Sequence, residues 1–117
     1  VKHLILLNDP PYGTERSFNG LRMAHAVAKH DAEAEITVFL MADAVFCAKA
    51  GQKTPDGFYN IERMLRRVLS AGGRVLACGT CMDARGLSAG DMMEGVARST
   101  MDELAEATLA ADKALVF

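Results

Sequence analysis

Cys78 and Cys81 stand three residues apart in the run Cys78-Gly79-Thr80-Cys81-Met82-Asp83-Ala84-Arg85-Gly86. The residues just before it, Arg74 to Cys78, read as a short strand, which puts Cys78 where a strand gives way to a turn or helix. Backbone N–H groups converge at such a junction and favour a negative charge, so thiolate is favoured over thiol. Gly79 removes a side chain where the sulfur needs access, and Arg85 is placed to add positive charge, so a depressed Cys78 pKa is expected. The plainer reading is a cysteine packed as a small hydrophobe, and the residue types leave both open. Cys81 completes the spacing of a dithiol redox pair, although a second thiol packed beneath the loop explains it equally simply.

The remaining reactive residues narrow the chemistry. Zinc needs four ligands, whereas Cys47, His3, His25 and His30 are scattered at no ligand spacing, so no metal site is expected. Cys47 sits in a short apolar segment and reads as core, and His25, between Arg22 and Lys29, reads as a solvated histidine. A hydrolase built on a Cys-His pair therefore lacks its base. The segment Asn8-Asp9-Pro10-Pro11-Tyr12-Gly13 follows the first predicted strand, where a nucleotide-binding chain carries a glycine-rich cradle. One glycine and two prolines, which lack an N–H, disfavour a flavin or dinucleotide, and no cofactor is expected. Asp9 and Tyr12 are placed either to wall the Cys78 site or to stabilise their own turn.

The elements that must position these residues follow from periodicity. Leu4 to Leu7 and Glu35 to Met41 read as buried strands, and Phe18, Leu21, Ala24 and Ala28, joined by Met23 and Val27, recur at helical spacing between them. Asp43 is placed to cap a short helix containing Ala44, Val45 and Phe46, and Gly51 to Gly57 has the composition of a loop, a candidate lid. Ile61, Met64, Leu65, Val68 and Leu69 fit an amphipathic helix ended by Gly72 and Gly73. Met92 to Val96 suggests a further short strand, Thr100 and Glu103 have capping-box spacing ahead of a last helix, and Ala114 to Phe117 reads as a final buried strand. Strands alternating with helices imply a doubly wound α/β domain over residues 1–117, a mostly parallel five-stranded sheet with helices on both faces. The loops after Leu7, Met41 and Ala77 then meet on one rim, where sites of such sheets form.

Bulk properties suit a small, soluble, single-domain protein. A chain of 117 residues with a net charge of −2 suits one core and gives no footprint for nucleic acid. No apolar run approaches the ~20 residues of a membrane span. An odd cysteine count without a signal-peptide pattern points to a reducing compartment, the cytoplasm.

From Leu4–Leu7 and Asn8–Gly13 through Cys78–Gly86 to Ser99-Thr100-Met101-Asp102-Glu103-Leu104, the chain resembles the DsrE/DsrF-like (YchN-like) family of sulfur-transfer proteins. The resemblance implies a parallel α/β sheet, a homotrimer or homohexamer, and a cysteine that carries persulfide sulfur between donor and acceptor proteins. By motif that cysteine is Cys78; placement in the sequence adds Cys81 as a second candidate catalytic thiol and Asp9, Tyr12, Gly79, Thr80 and Arg85 as candidate binding residues. The family's sulfur-relay members carry no second cysteine three residues on, so Cys81 keeps a dithiol oxidoreductase open. A non-catalytic binding or assembly subunit, in which the cysteines are structural, is the second reading, and the dithiol oxidoreductase the third.

Overall fold

Apolar runs without alternation suit strands flanked on both sides, and the two strongest runs take interior positions of the sheet. The computed structural model describes residues Val1–Phe117. Strands β1 (Lys2–Leu7), β2 (Glu35–Leu40), β3 (Arg74–Cys78), β4 (Ala97–Ser99) and β5 (Lys113–Val116) form one sheet in the order β4-β3-β2-β1-β5. Every neighbouring pair is parallel. Ile5, Leu7, Val38, Phe39, Leu40, Val75 and Ala77 are buried at its centre.

Helices α1 (Arg16–His30) and α2 (Ile61–Ser70) connect β1 to β2 and β2 to β3, and they pack against each other on one face. Asn60 starts α2, its side-chain oxygen accepting from the Arg63 N–H at 3.0 Å, and Ile61 and Leu65 are fully buried. A short helix α3 (Gly79–Ala84) begins directly after β3. Helix α4 (Met101–Ala110) joins β4 to β5 across the sheet in the reverse direction, and a right-handed crossover puts it on the opposite face.

Five expectations change. The strand expected at Met92 to Val96 forms instead at Ala97–Ser99. Met92 and Met93 are buried because their segment is tied to another one, with the Met93 N–H donating to the Ala48 carbonyl at 2.8 Å, and Gly95 then turns at φ +94°. The final strand is not buried, because β5 is an edge strand with β1 as its one partner, and Val116 is 65% exposed. Asp43 does not cap the 3₁₀ segment Ala42–Ala48, since its carboxylate accepts from Arg85 Nε at 2.8 Å. His25 is half-buried rather than solvated, its Nε2 donating to the Met64 carbonyl at 2.9 Å, and burial lowers its pKa. Of the capping box, Thr100 accepts from the Glu103 N–H, but the Glu103 carboxylate turns to the buried Ser99 hydroxyl.

Candidate functional site

The close of β3 and the opening of α3 fix Cys78. Its backbone belongs to the buried strand, while its sulfur accepts from the Cys81 N–H at 3.3 Å and lies 3.3 Å from the Thr80 hydroxyl. Burial by itself raises a thiol's pKa, but the hydrogen bonds from Cys81 and Thr80 outweigh it and hold Cys78 below the ordinary thiol value. Cys81 goes the other way, raised by burial and by the neighbouring Cys78 sulfur. Its own sulfur accepts from the Ala42 N–H at 3.2 Å and donates to Met41 Sδ at 3.8 Å. The two thiols thus differ: Cys78 gives up its proton more readily than Cys81.

Cys78 opens into a cavity of about 190 Å³ between the end of β2 and the start of α4. Phe39, Met41 and Met101 give it apolar walls, whereas Thr80, Arg98, Ser99 and Thr100 give polar ones. Such a space suits a small group on the sulfur better than a bulky cofactor.

The structure brings Cys78, Gly79, Thr80 and Cys81 together and places the other expected residues elsewhere. Arg85 bonds Asp43 and donates to the Cys81 carbonyl at 3.1 Å, so its positive charge acts on Cys81 and not on Cys78. Asp9 accepts from Thr14 through its carboxylate and from buried Ser17 through its carbonyl. Tyr12 donates to Gln52 Oε1 at 2.6 Å, accepts from the Ile61 N–H at 3.1 Å, and packs against Phe58 and Tyr59. Neither Asp9 nor Tyr12 lines the Cys78 cavity. The loop Gly51 to Gly57 is tied down by Gln52, which donates from Nε2 to the Cys47 and Lys49 carbonyls, and it adds no residue to that cavity. Cys47 is fully buried and its thiol is pushed up to about 12 by that burial.

Arg98 is the charged residue among the cavity walls that sequence reasoning missed, together with Phe39, Met41, Ser99, Thr100 and Met101. It is held to Asp83 by two bonds of 2.8 Å and lies against Gly79. Its only sequence signal is the pairing of β4 with β3, in which Ser99 is opposite Cys78, and no periodicity encodes that register.

The DsrE/DsrF-like family model matches residues 1–117. The chain belongs to the DsrE/DsrF-like family. Among curated members, it is 42% identical over 116 residues to protein YchN of Escherichia coli strain K12, covering 99% of this chain and 98% of YchN. An uncharacterized protein of Methanopyrus kandleri is 38% identical over 113 residues, covering 97% of this chain and 91% of that protein. The crystal structure of Escherichia coli YchN superposes with a TM-score of 0.94 over 99% of this chain and 98% of that one. A protein of unknown function from Methanobacterium thermoautotrophicum shares the fold at a TM-score of 0.80 and 13% identity, over 99% of this chain and 98% of that one. Membership in the DsrE/DsrF-like family suggests a part in sulfur relay. No helix is long and apolar enough to cross a membrane.

Proposed function

We propose that the protein is a sulfur carrier in which Cys78 receives and passes on persulfide sulfur. The observation that supports this most is the Cys78 sulfur itself, a strand-end thiol stabilised as an anion by Thr80 and Cys81 and facing a small cavity. The Cys78 thiolate attacks the outer sulfur of a donor persulfide, a new S–S bond forms, the donor's S–S bond breaks, and the donor leaves as a thiolate with the bonding electrons. The reverse exchange delivers that sulfur to an acceptor thiolate. Gly79 leaves room for the Arg98 side chain beside the peptide that follows Cys78, and Thr80 orients the attacking sulfur.

Cys81 supports a second reading, because it carries a free thiol and its backbone N–H donates to the Cys78 sulfur at 3.3 Å. Attack of Cys81 on a Cys78 persulfide would form a Cys78–Cys81 disulfide and release hydrogen sulfide, making the pair a dithiol oxidoreductase. Three free cysteines suit the reducing cytoplasm for either reading. Homotrimer or homohexamer formation would cover the exposed Met101, Leu109 and Val116 of α4 and β5, and a monomer in sedimentation would remove that assembly from the proposal.

Intact mass after incubation with a persulfide donor tests the carrier. A one-sulfur adduct is expected on the wild type and on Cys81→Ser, and none on Cys78→Ser. If Cys78→Ser still gains sulfur, or if no protein does, the carrier assignment fails. Loss of two hydrogens without added sulfur would instead support the dithiol reading.

A further inference from the structure

Gly79 begins α3 with an ordinary negative φ, so its backbone does not require glycine. What requires it is space. A Cβ built there would lie 2.7 Å from both Cζ and Nε of Arg98 and 2.9 Å from one terminal nitrogen. The guanidinium therefore lies across the peptide that follows Cys78, in a seat that any larger residue would occupy.

Asp83 fixes the group in that seat. Its two oxygens accept from the two terminal nitrogens of Arg98 at 2.8 Å each, while Nε, on the Gly79 side, takes no carboxylate. The two side chains are 51% and 62% exposed, and an exposed ion pair of this kind adds little stability. A two-point bond that contributes little to folding still fixes direction, since the planar fork allows one geometry.

We infer that Arg98 is a positioning residue for Cys78, held by Asp83 across Gly79 so that its cation faces the sulfur anion and any sulfur added to it. This rests on the carrier reading for its purpose, and its electrostatic part rests on the seat of Arg98 against Gly79 and in the wall of the Cys78 cavity. The other charged and titratable groups around Cys78 do not substitute for it. Cys81 is a protonated thiol, Asp83 is spent on Arg98, and Arg85 is paired with Asp43 on the Cys81 side. After sulfur transfer the negative charge moves outward by one S–S bond, into the cavity whose polar wall includes Arg98.

The test is the pH profile of Cys78 alkylation by iodoacetamide, read by mass at that residue, for the wild type, Arg98→Gln, Arg98→Lys and Gly79→Ala. Arg98→Gln is expected to move the midpoint upward and slow the neutral-pH rate by about threefold, a factor suited to a half-exposed cation. Gly79→Ala should do the same although Arg98 is still present, and Arg98→Lys should restore part of the rate by returning the charge. Melting curves confirm that each variant is folded, and should Gly79→Ala not fold, Arg98→Gln decides alone. An unchanged midpoint in folded Arg98→Gln overturns the inference. A wild type that takes up no sulfur overturns the carrier reading instead, and leaves the alkylation result to decide the role of Arg98.

Discussion

Replacing Tyr12 by Phe separates a strut from a site residue. The phenol joins two segments, donating to Gln52 Oε1 at 2.6 Å and accepting from the Ile61 N–H at 3.1 Å. Ile61 opens α2 and is fully buried, and a first-turn N–H has no partner inside its own helix. Removing the hydroxyl leaves that donor unpaired in the interior, which costs ~1–3 kcal/mol. Gln52 is only half-buried, so water replaces its lost partner at a cost of roughly 0.5 kcal/mol. The ring stays, and with it the packing on Phe58 and Tyr59. The net loss is about 2 kcal/mol, or a drop in Tm of roughly 6–10 °C for a domain of this size. Urea unfolding followed by circular dichroism should show a lower midpoint with an unchanged slope, and sulfur uptake below the transition should equal that of the wild type. A loss under about 0.5 kcal/mol would refute the reasoning about the Ile61 N–H. Full stability with lost uptake would return Tyr12 to the site.

Cys47 should resist alkylation in the native protein while Cys78 reacts first, because burial pushes its thiol up to about 12; modification of Cys47 at pH 8 without unfolding would contradict this. The same shift makes stability fall with alkali: the unfolded thiol, with its ordinary value of 9.0, releases its proton where the folded one does not. This contribution is whole below the ordinary value and is lost as pH rises toward about 12, so Cys47→Ala should flatten the alkaline slope measured by urea unfolding. Thr80→Val keeps the shape of the side chain and removes the hydroxyl 3.3 Å from the Cys78 sulfur. Its expected effect is a higher midpoint and ~2- to 5-fold slower alkylation at neutral pH, with stability little changed because Thr80 is exposed. An unaltered pH profile would mean that the hydroxyl does not serve the thiolate.

The interior of the fold was legible because burial on both faces writes an unbroken apolar run, as at Leu4 to Leu7, and β3 begins and ends at the residues its composition indicates. The edges were not. β4 has three residues, two of them exposed, and therefore no period to read, while the apolar Met92 and Met93 nearby are buried by a different segment. β5 is apolar in composition but has a partner on one side only. At the site, Cys78, Gly79 and Thr80 were visible because their chemistry is local to one turn. Arg98 reaches that turn only through strand pairing, and Arg85, adjacent in sequence, is drawn aside by Asp43. Asp9 and Tyr12 stand on the loop after β1, as the topology requires, but their hydrogen bonds go to their own loop and to α2.

The order β4-β3-β2-β1-β5 also determines which motions reach the sulfur. Edge strands open at lower free energy than interior ones, and here the two edges are separated by three strands. Fraying of β5 leaves the cavity untouched. Opening of the three-residue β4, by contrast, carries off Arg98 and Ser99 while Cys78 stays anchored in β3. The thiol thus has a fixed floor and a wall on an edge strand, and faster amide exchange at Ala97–Ser99 than in β3 is the expected sign that this wall opens first.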